Sequence, residues 1–332
     1  MTIEANIIAD SIGPHSPRLT TFQLKYPRFI HAEFMTHRVF SRNASSSRAI
    51  PVQKQIDMIR EDTAMPMHWG KNQSGMQANE ENEDLVSVGA FVREALESIE
   101  FDPDYKRRTV RLSREDAWLE ARDRAIEVAQ AFHDAGYHKQ IVNRILEPFS
   151  HISVVCTATD FDNFFWLRRH KDAQPEIKIL ADLMHEAREA STPVHLGYNE
   201  WHLPYVTAED RKTVWDWTML HDASNPIDPW TETLIKISVA RCARVSYLTH
   251  DGQSPSITKD MELYDRLVGS EPLHASPAEH QARPDGLVWG EHTKMWEHPH
   301  LHGNLTGYQQ YRKFLPGENY TTWEGLNNDF DS

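Results

Sequence analysis

The sequence predicts an α+β fold, and three observations carry that expectation. Leu19-Thr-Thr-Phe-Gln-Leu-Lys-Tyr26 alternates Phe22, Leu24 and Tyr26 with Thr21, Gln23 and Lys25, the period of a half-buried strand. His151–Ala158 is a β-branched run with the length of a buried strand. Several longer segments, Glu115–Ala135 and Pro175–Ala190 among them, are amphipathic at helical spacing.

The remaining elements follow in chain order. Ile3–Ile12 reads as a short strand, and Gly13-Pro14 with Ser16-Pro17 as the turn after it. Pro27 suits the first turn of a helix running to Val39. Phe40–Pro51, rich in Ser, Asn and Arg, reads as a loop, and Ala64–Asn82 as polar and broken. Helices are expected near Asp84–Ile99 and Glu115–Ala135, the second stopped by Gly136. Another, His138–Leu146, ends before Pro148. After the His151–Ala158 strand, Thr159 and Asp162 mark a helix start, and that helix carries Phe161, Phe164, Phe165 and Leu167. Pro175 opens the next, to Ala190. Ser191–Pro229 reads as an insertion or linker, helices resume at Thr231–Tyr247 and Ser256–Val268, and the tail from Pro272 is irregular and His-rich.

Composition narrows the function classes. With 39% hydrophobic and 25% charged residues the chain is neither wholly disordered nor collagen-like. No apolar run approaches the ~20 residues of a membrane span. Met1-Thr2-Ile3-Glu4 shows no signal-peptide pattern, and two cysteines, Cys156 and Cys242, make no disulfide framework. A cytoplasmic protein is expected, in the host cytoplasm if phage-encoded, with no membrane partner. The net charge of −14 argues against duplex nucleic acid as a partner, while a local arginine cluster can still hold a small anion.

The strongest local signal is Thr36-His-Arg-Val-Phe-Ser-Arg-Asn-Ala-Ser-Ser-Ser-Arg48, with three arginines, one histidine and no acid. Guanidinium and hydroxyl groups at such a junction suit phosphate, although a solvated polar loop has the same composition. Asn143-Arg144-Ile-Leu-Glu-Pro148 and Asp162-Asn-Phe-Phe-Trp-Leu-Arg168 add Arg144, Asn163 and Arg168, the last two beside core aromatics. Gly70–Gly75 has the glycine spacing of a P-loop but lacks its Lys-Ser/Thr, and His298, His300 and His302 give no metal site.

Together these segments resemble the flavin-dependent thymidylate synthases. Their signature, Arg-His-Arg, seven residues and Ser, is similar to Thr36-His37-Arg38, seven residues and Ser46, followed by Arg48. Arg144-x-x-x-Pro148 and Asn163-Phe-x-x-Leu-Arg168 through Ala173-Gln174 resemble the family's C-terminal half. Ala243-Arg-Val-Ser-Tyr247 and His274-Ala-Ser-Pro-Ala-Glu-His280 resemble motifs that ordinarily precede the signature. Here they follow it, so a divergent, phage-like member with circularly permuted motif order is expected. The chain departs from the family at Glu33 for Gln, Thr36 for Arg, Ala44 for Glu, Thr157-Ala158-Thr159 for Asn-Ala-Arg, and Asp172 for His.

The resemblance implies a twisted, mainly antiparallel sheet flanked by helices. It implies reductive methylation of dUMP to dTMP, with FAD as cofactor and methylene-tetrahydrofolate and NADPH as co-substrates. Arg168 would be catalytic and contact the pyrimidine. Glu33, Ser46, Ser47, Arg48 and Arg144 would complete the site of a pyrimidine deoxynucleotide monophosphate. His37, Arg38, Asn163, Ser246, His274, Ser276 and Glu279 would line the flavin site, and no metal is expected. A homo-oligomer, a tetramer in the family, would form the sites between subunits. Two alternatives stay open: a flavin-dependent hydroxymethylase or methylase of dUMP or dCMP for modified DNA, with dCMP motivated by the Glu33 carboxylate, which can accept from a cytosine amino group, and an inactive nucleotide-binding homologue. The expected organisation is a synthase-like unit over 1–190, an insertion or linker over 191–230, a relocated helical segment over 231–280 and an irregular extension over 281–332.

Overall fold

The alternating segment after Arg18 becomes the middle strand of a five-stranded sheet. In this computed structural model, residues 2–74, 78, 80–89, 109–218, 229–245, 256–269, 271, 273–290 and 293–319 are described. Strand β1 (Glu4–Ile12) runs antiparallel to β2 (Arg18–Pro27), with a bulge between Ile7 and Ala9. The turn between them lies against the tail. A side chain at Gly13 would meet Pro284 Cβ at 2.7 Å, and Tyr308 Oη accepts from Gly13 N at 3.1 Å.

The helix expected over 27–39 is cut short. Pro27 keeps an extended backbone at the end of β2, and only a 3-10 turn at Arg28–Ile30 and a single turn, α1 (His31–Phe34), follow. The expected loop at 40–51 holds β3 (Ser41–Ala44), a polar edge strand whose regularity comes from pairing with β6. Next come α2 (Val52–Glu61), β4 (Val86–Gly89) and β5 (Thr109–Leu112). β4 corrects the helix expected from Asp84. Val86 and Val88 pair with Leu112 and Val110 instead, as β-branched residues favour, and the rest of that expected helix lies outside the described residues.

Helices α3 (Arg114–Asp134) and α4 (Lys139–Leu146) stack on α2 around Ile56, Ile126 and Val142. Strand β6 (His151–Ala158) pairs with both β2 and β3, and α5 (Asp162–Arg168) and α6 (Pro175–Ala190) follow. With the two-residue β7 (Val194–His195), parallel to β1, the sheet order is β3-β6-β2-β1-β7, antiparallel at every other pairing. This is the α+β architecture that the sequence predicts.

Strand alternation gives the sheet two unlike faces. Phe22, Leu24, Tyr26, Ile152, Val154 and Cys156 face α5 and α6 in the main core. On the opposite face, Thr21 Oγ1 bonds Thr157 Oγ1 at 2.7 Å and His202 Nε2 at 2.7 Å, while Ser11 Oγ meets His202 Nδ1 at 2.8 Å. Thr157 Oγ1 continues the chain to His280 Nδ1 at 2.8 Å. This buried polar relay ties residues 202 and 280 to the sheet.

Beyond it lie α7 (Ala208–Thr218), α8 (Pro229–Arg244) and α9 (Ile257–Val268). Thr207 and Asp210 cap α7 reciprocally. Buried Arg241 bonds both Asp210 and Asp260. Cys242 and Val245 at the end of α8 meet Val155 of β6. Since Val155 points away from α5, α8 lies across the sheet from α5. The tail pairs β8 (Ala282–Pro284) with β11 (Tyr308–Gln310), and β9 (Leu287–Trp289) with β10 (Lys294–Trp296). His298 and His302 both bond buried Asp285. Among the described residues no group of three or more metal-ligating side chains forms, and no helix is long and apolar enough to cross a membrane.

Candidate active site

The signature segment and the end of α5 meet on the core face of the sheet. Packing fixes the meeting point: His37 lies edge-on to Phe164 at 4.9 Å and stacks near Phe40, and Phe40 rests on Phe161. Arg168, one helical turn beyond Phe164, donates from Nε to His37 Nε2 at 3.0 Å and from Nη2 to Thr36 Oγ1 at 3.2 Å. Thr36 Oγ1 in turn donates to Glu33 O at 2.7 Å. Burial first, then Arg168 and Arg42, push the His37 pKa down to about 4. A neutral ring is the state that can accept from Arg168. Of the five N–H donors of a guanidinium, Arg168 spends two here and keeps three for a ligand.

Glu33 lies on α1, three residues before Thr36, and its Oε2 is buried with no hydrogen-bond partner among the described residues. Such an atom is costly unless a donor reaches it. Arg38 and Asn163 are exposed, and neither forms a side-chain hydrogen bond or ion pair among the described residues. Trp166, 76% exposed, and Leu167 add apolar surface beside them.

The serine-arginine loop is held by α4. Buried Asn143 donates from Nδ2 to Ser47 O at 2.7 Å and to Ile50 O at 2.9 Å, and Lys139 Nζ donates to Ala49 O. Ser47 Oγ donates to Glu147 Oε1 at 2.8 Å. This leaves Ser46, Arg48 and Arg144 exposed on the loop and helix so joined, with no carboxylate bound to either arginine among the described residues. The Ser47 hydroxyl, a phosphate candidate from the sequence, is bound to Glu147, and Asn143, which carries no signal beyond its place before Arg144, shapes the loop.

The C-terminal candidates are tied to the signature segment through the tail: Gln310 Nε2 donates to Glu279 O at 2.9 Å and to Asn304 Oδ1 at 3.0 Å, and Asn304 Nδ2 donates to Val39 O at 2.9 Å, next to Arg38. The 3-10 turn Ser276–Glu279 packs on β3 and α8. Glu279 is ion-paired to Arg312, and its carbonyl accepts from Gln310, which also donates to Ser41 Oγ. Ser41 pairs with Thr157 and shares its face, so this turn approaches the sheet from the side opposite His37. His274 and Ser276 are exposed, and Ser246 lies outside the described residues. Among the described residues, no hydrogen bond, ion pair or ring contact joins His274, Ser276 or Glu279 to Arg38, Asn163 or Arg168.

A family model described as thymidylate synthase complementing protein matches residues 18–194, more than half of the chain. The chain belongs to this family. The match spans β2 through β7 and contains the signature, the α4 loop clamp and Arg168. Among solved structures, it is similar to a UMP/dUMP methylase PolB from Streptomyces cacaoi bound with 5-Br UMP. Identity is 18%, 56% of this chain and 88% of that one are covered, and the TM-score is 0.38. The same enzyme bound with 5-Br dUMP gives 18% identity, 56% and 90% coverage and a TM-score of 0.35. No curated protein matches.

Proposed function

We propose that this family member is an FAD-dependent thymidylate synthase that methylates dUMP to dTMP with methylene-tetrahydrofolate and NADPH. The observation that carries the reading is the junction of Arg168 with His37, which joins the signature to the second family block within matched residues 18–194. The donor set fits FAD and a nucleotide. Among the described residues Arg38, Arg48 and Arg144 have no ion-pair partner, which suits them to phosphates in a chain of net charge −14, and Asn163 beside Trp166 offers an amide and an aromatic face to a heterocycle. FAD supplies the hydride chemistry when bound.

The chain's own residues bind, orient and polarise. His37 and Thr36 fix the Arg168 guanidinium, whose remaining N–H groups stabilise negative charge on the pyrimidine as C5 becomes nucleophilic. Ser46, Arg48 and Arg144 hold the nucleotide phosphate on the loop that Asn143 shapes. Arg38 and Asn163 hold the flavin. Ser276, Glu279, His274 and Ser246 complete the flavin site from a neighbouring subunit, since Glu279 in the same subunit approaches the other face of the sheet. That reading keeps the permuted motif order and the homotetramer.

The buried, unpartnered Glu33 Oε2 favours a second reading, a dCMP methylase or hydroxymethylase. A carboxylate there accepts from a cytosine 4-amino group and opposes a uracil 4-carbonyl. Incubation with dUMP or dCMP, methylene-tetrahydrofolate, FAD and NADPH, followed by mass analysis of the nucleotide, tests both. A 14-dalton gain on dUMP is the expected outcome. A gain on dCMP alone replaces the first reading with the second, and no modified nucleotide with either base refutes both.

A further inference from the structure

On the face of the sheet turned away from Arg168, a cavity of about 520 Å³ opens between β2, β6 and α2. Its wall contains two buried side chains, each with a polar atom that has no hydrogen-bond partner among the described residues: Gln55 Oε1 and His151 Nε2. Gln55 is 5% exposed and the His151 side chain 6%. Orphaned buried polar atoms are uncommon, and two on one cavity of ligand size point to a binding site.

The neighbouring charges decide what both atoms want. Burial, above all, lowers the His151 pKa to about 4, so the ring is neutral at pH 7 and carries one proton. Asp62 Oδ2 stands 3.8 Å from Nδ1. Burial works against the Asp62 carboxylate, but hydrogen bonds from Lys25 and Thr2 hold it ionised well below its usual range. The ring proton is therefore best placed on Nδ1, facing the carboxylate, which leaves Nε2 a bare lone pair. Gln55 Oε1 is an acceptor too. The cation on this wall, Lys25, is already bound to Asp62 at 2.8 Å, and exposed Glu61 adds negative charge at the rim. Among the described lining residues no cation is left free for an anion. Met58 and Ile59 supply apolar surface next to the acceptors.

We propose that this cavity binds a short aliphatic primary amine. Its ammonium donates to Gln55 Oε1 and His151 Nε2, and its methylenes lie along Met58 and Ile59. Strand alternation places the cavity across the sheet from His37 and Arg168.

Calorimetric titration of the full-length protein with 1,4-diaminobutane tests the proposal, with 1,4-butanediol as an uncharged probe of equal length. The expected result is saturable binding of one diamine per chain and none of the diol. Gln55→Leu keeps volume and net charge, so it leaves diffuse attraction to an acidic protein intact. It is expected to weaken diamine binding at least tenfold. Equal binding by Gln55→Leu, or no saturable binding by the wild type, overturns the proposal. Should the variant not fold, nitrogen NMR of the wild-type His151 ring decides. Saturating diamine is expected to shift the Nε2 resonance, and an unmoved resonance overturns the site.

Discussion

Arg168 Nε donates to His37 Nε2 at 3.0 Å, joining two residues 131 positions apart in the chain. The bond runs from a permanently charged donor to a ring that burial and neighbouring arginines keep neutral. It spends one guanidinium N–H to fix the direction of the others. At Thr36, where the resembling signature carries arginine, the hydroxyl accepts a second bond from Arg168 at 3.2 Å.

Replacing Arg168 with Ala should abolish turnover while the fold survives. The side chain leaves a half-buried position at the end of α5, and the Phe161–Phe165 core below it is untouched. Losing a contact that strengthens in the transition state costs on the order of 10²-fold or more in rate. The same variant should raise the His37 pKa, because Arg168 is among the charges that depress it. Product formation and histidine NMR titration check the two halves separately. An unchanged His37 titration would mean that the contact is not formed in solution.

Arg48→Ala and Asn143→Leu should both weaken nucleotide binding, but only the second should cost stability. Arg48 is exposed and makes no side-chain bond among the described residues, so its loss removes only a phosphate partner. Asn143 is buried, and its amide serves two backbone carbonyls of the loop. Leaving those carbonyls unsatisfied costs about 1–3 kcal/mol. Equilibrium dialysis with dUMP, beside urea unfolding, reads both effects. Wild-type nucleotide affinity in Arg48→Ala would remove the phosphate clamp.

Legibility from sequence followed burial. β6 was readable residue for residue and β2 nearly so, because each has one full apolar face to announce it. β3 was not, since Ser41-Arg-Asn-Ala44 has no apolar alternation and owes its extension to β6. The helix expected from Asp84 gives way at Val86–Gly89, where the β-branched start is held extended by pairing with β5. The Thr207–Asp210 cap, a readable signal for α7, was hidden within a segment read as linker. At the site, Arg168, His37 and the serine loop were legible because charge and hydroxyl density stand out in sequence. His202 was missed entirely: a lone histidine among Trp, Leu and Pro carries no local sign that it will bridge two strands.

Acid should unfold the protein between about pH 6.5 and 4, with histidines rather than carboxylates driving the early part. Burial, chiefly, holds both His202 and His280 neutral, with pKa values lowered to about 3. In the unfolded chain both bind a proton near pH 6.5. The unfolded state therefore takes up more protons as pH falls. The stability present above pH 6.5 is lost progressively toward the folded value, at up to about 1.4 kcal/mol per pH unit for each ring. Urea midpoints at pH 7, 6, 5 and 4.5 measure the slope. His280→Asn should be less stable at pH 7 yet show a slope shallower by about one proton. An unchanged slope would place a charged imidazole inside the fold.

Two inactive variants should restore activity to one another when mixed. Arg168 lies on the core face of the sheet, and Glu279 approaches from the opposite face, ion-paired to Arg312. Among the described residues no contact joins Glu279 to Arg168 within one subunit, and the proposed site therefore takes one of them from each of two neighbours. Arg168→Ala and Glu279→Ala would each be inactive alone. After unfolding, mixing and refolding together in equal amounts, about a quarter of the sites would receive both wild-type residues by random assortment. Activity near that fraction of wild type is the expected outcome, with light scattering confirming an oligomer. A mixture as dead as its components, while each variant still assembles, would place the flavin groups within a single subunit or remove Glu279 from them.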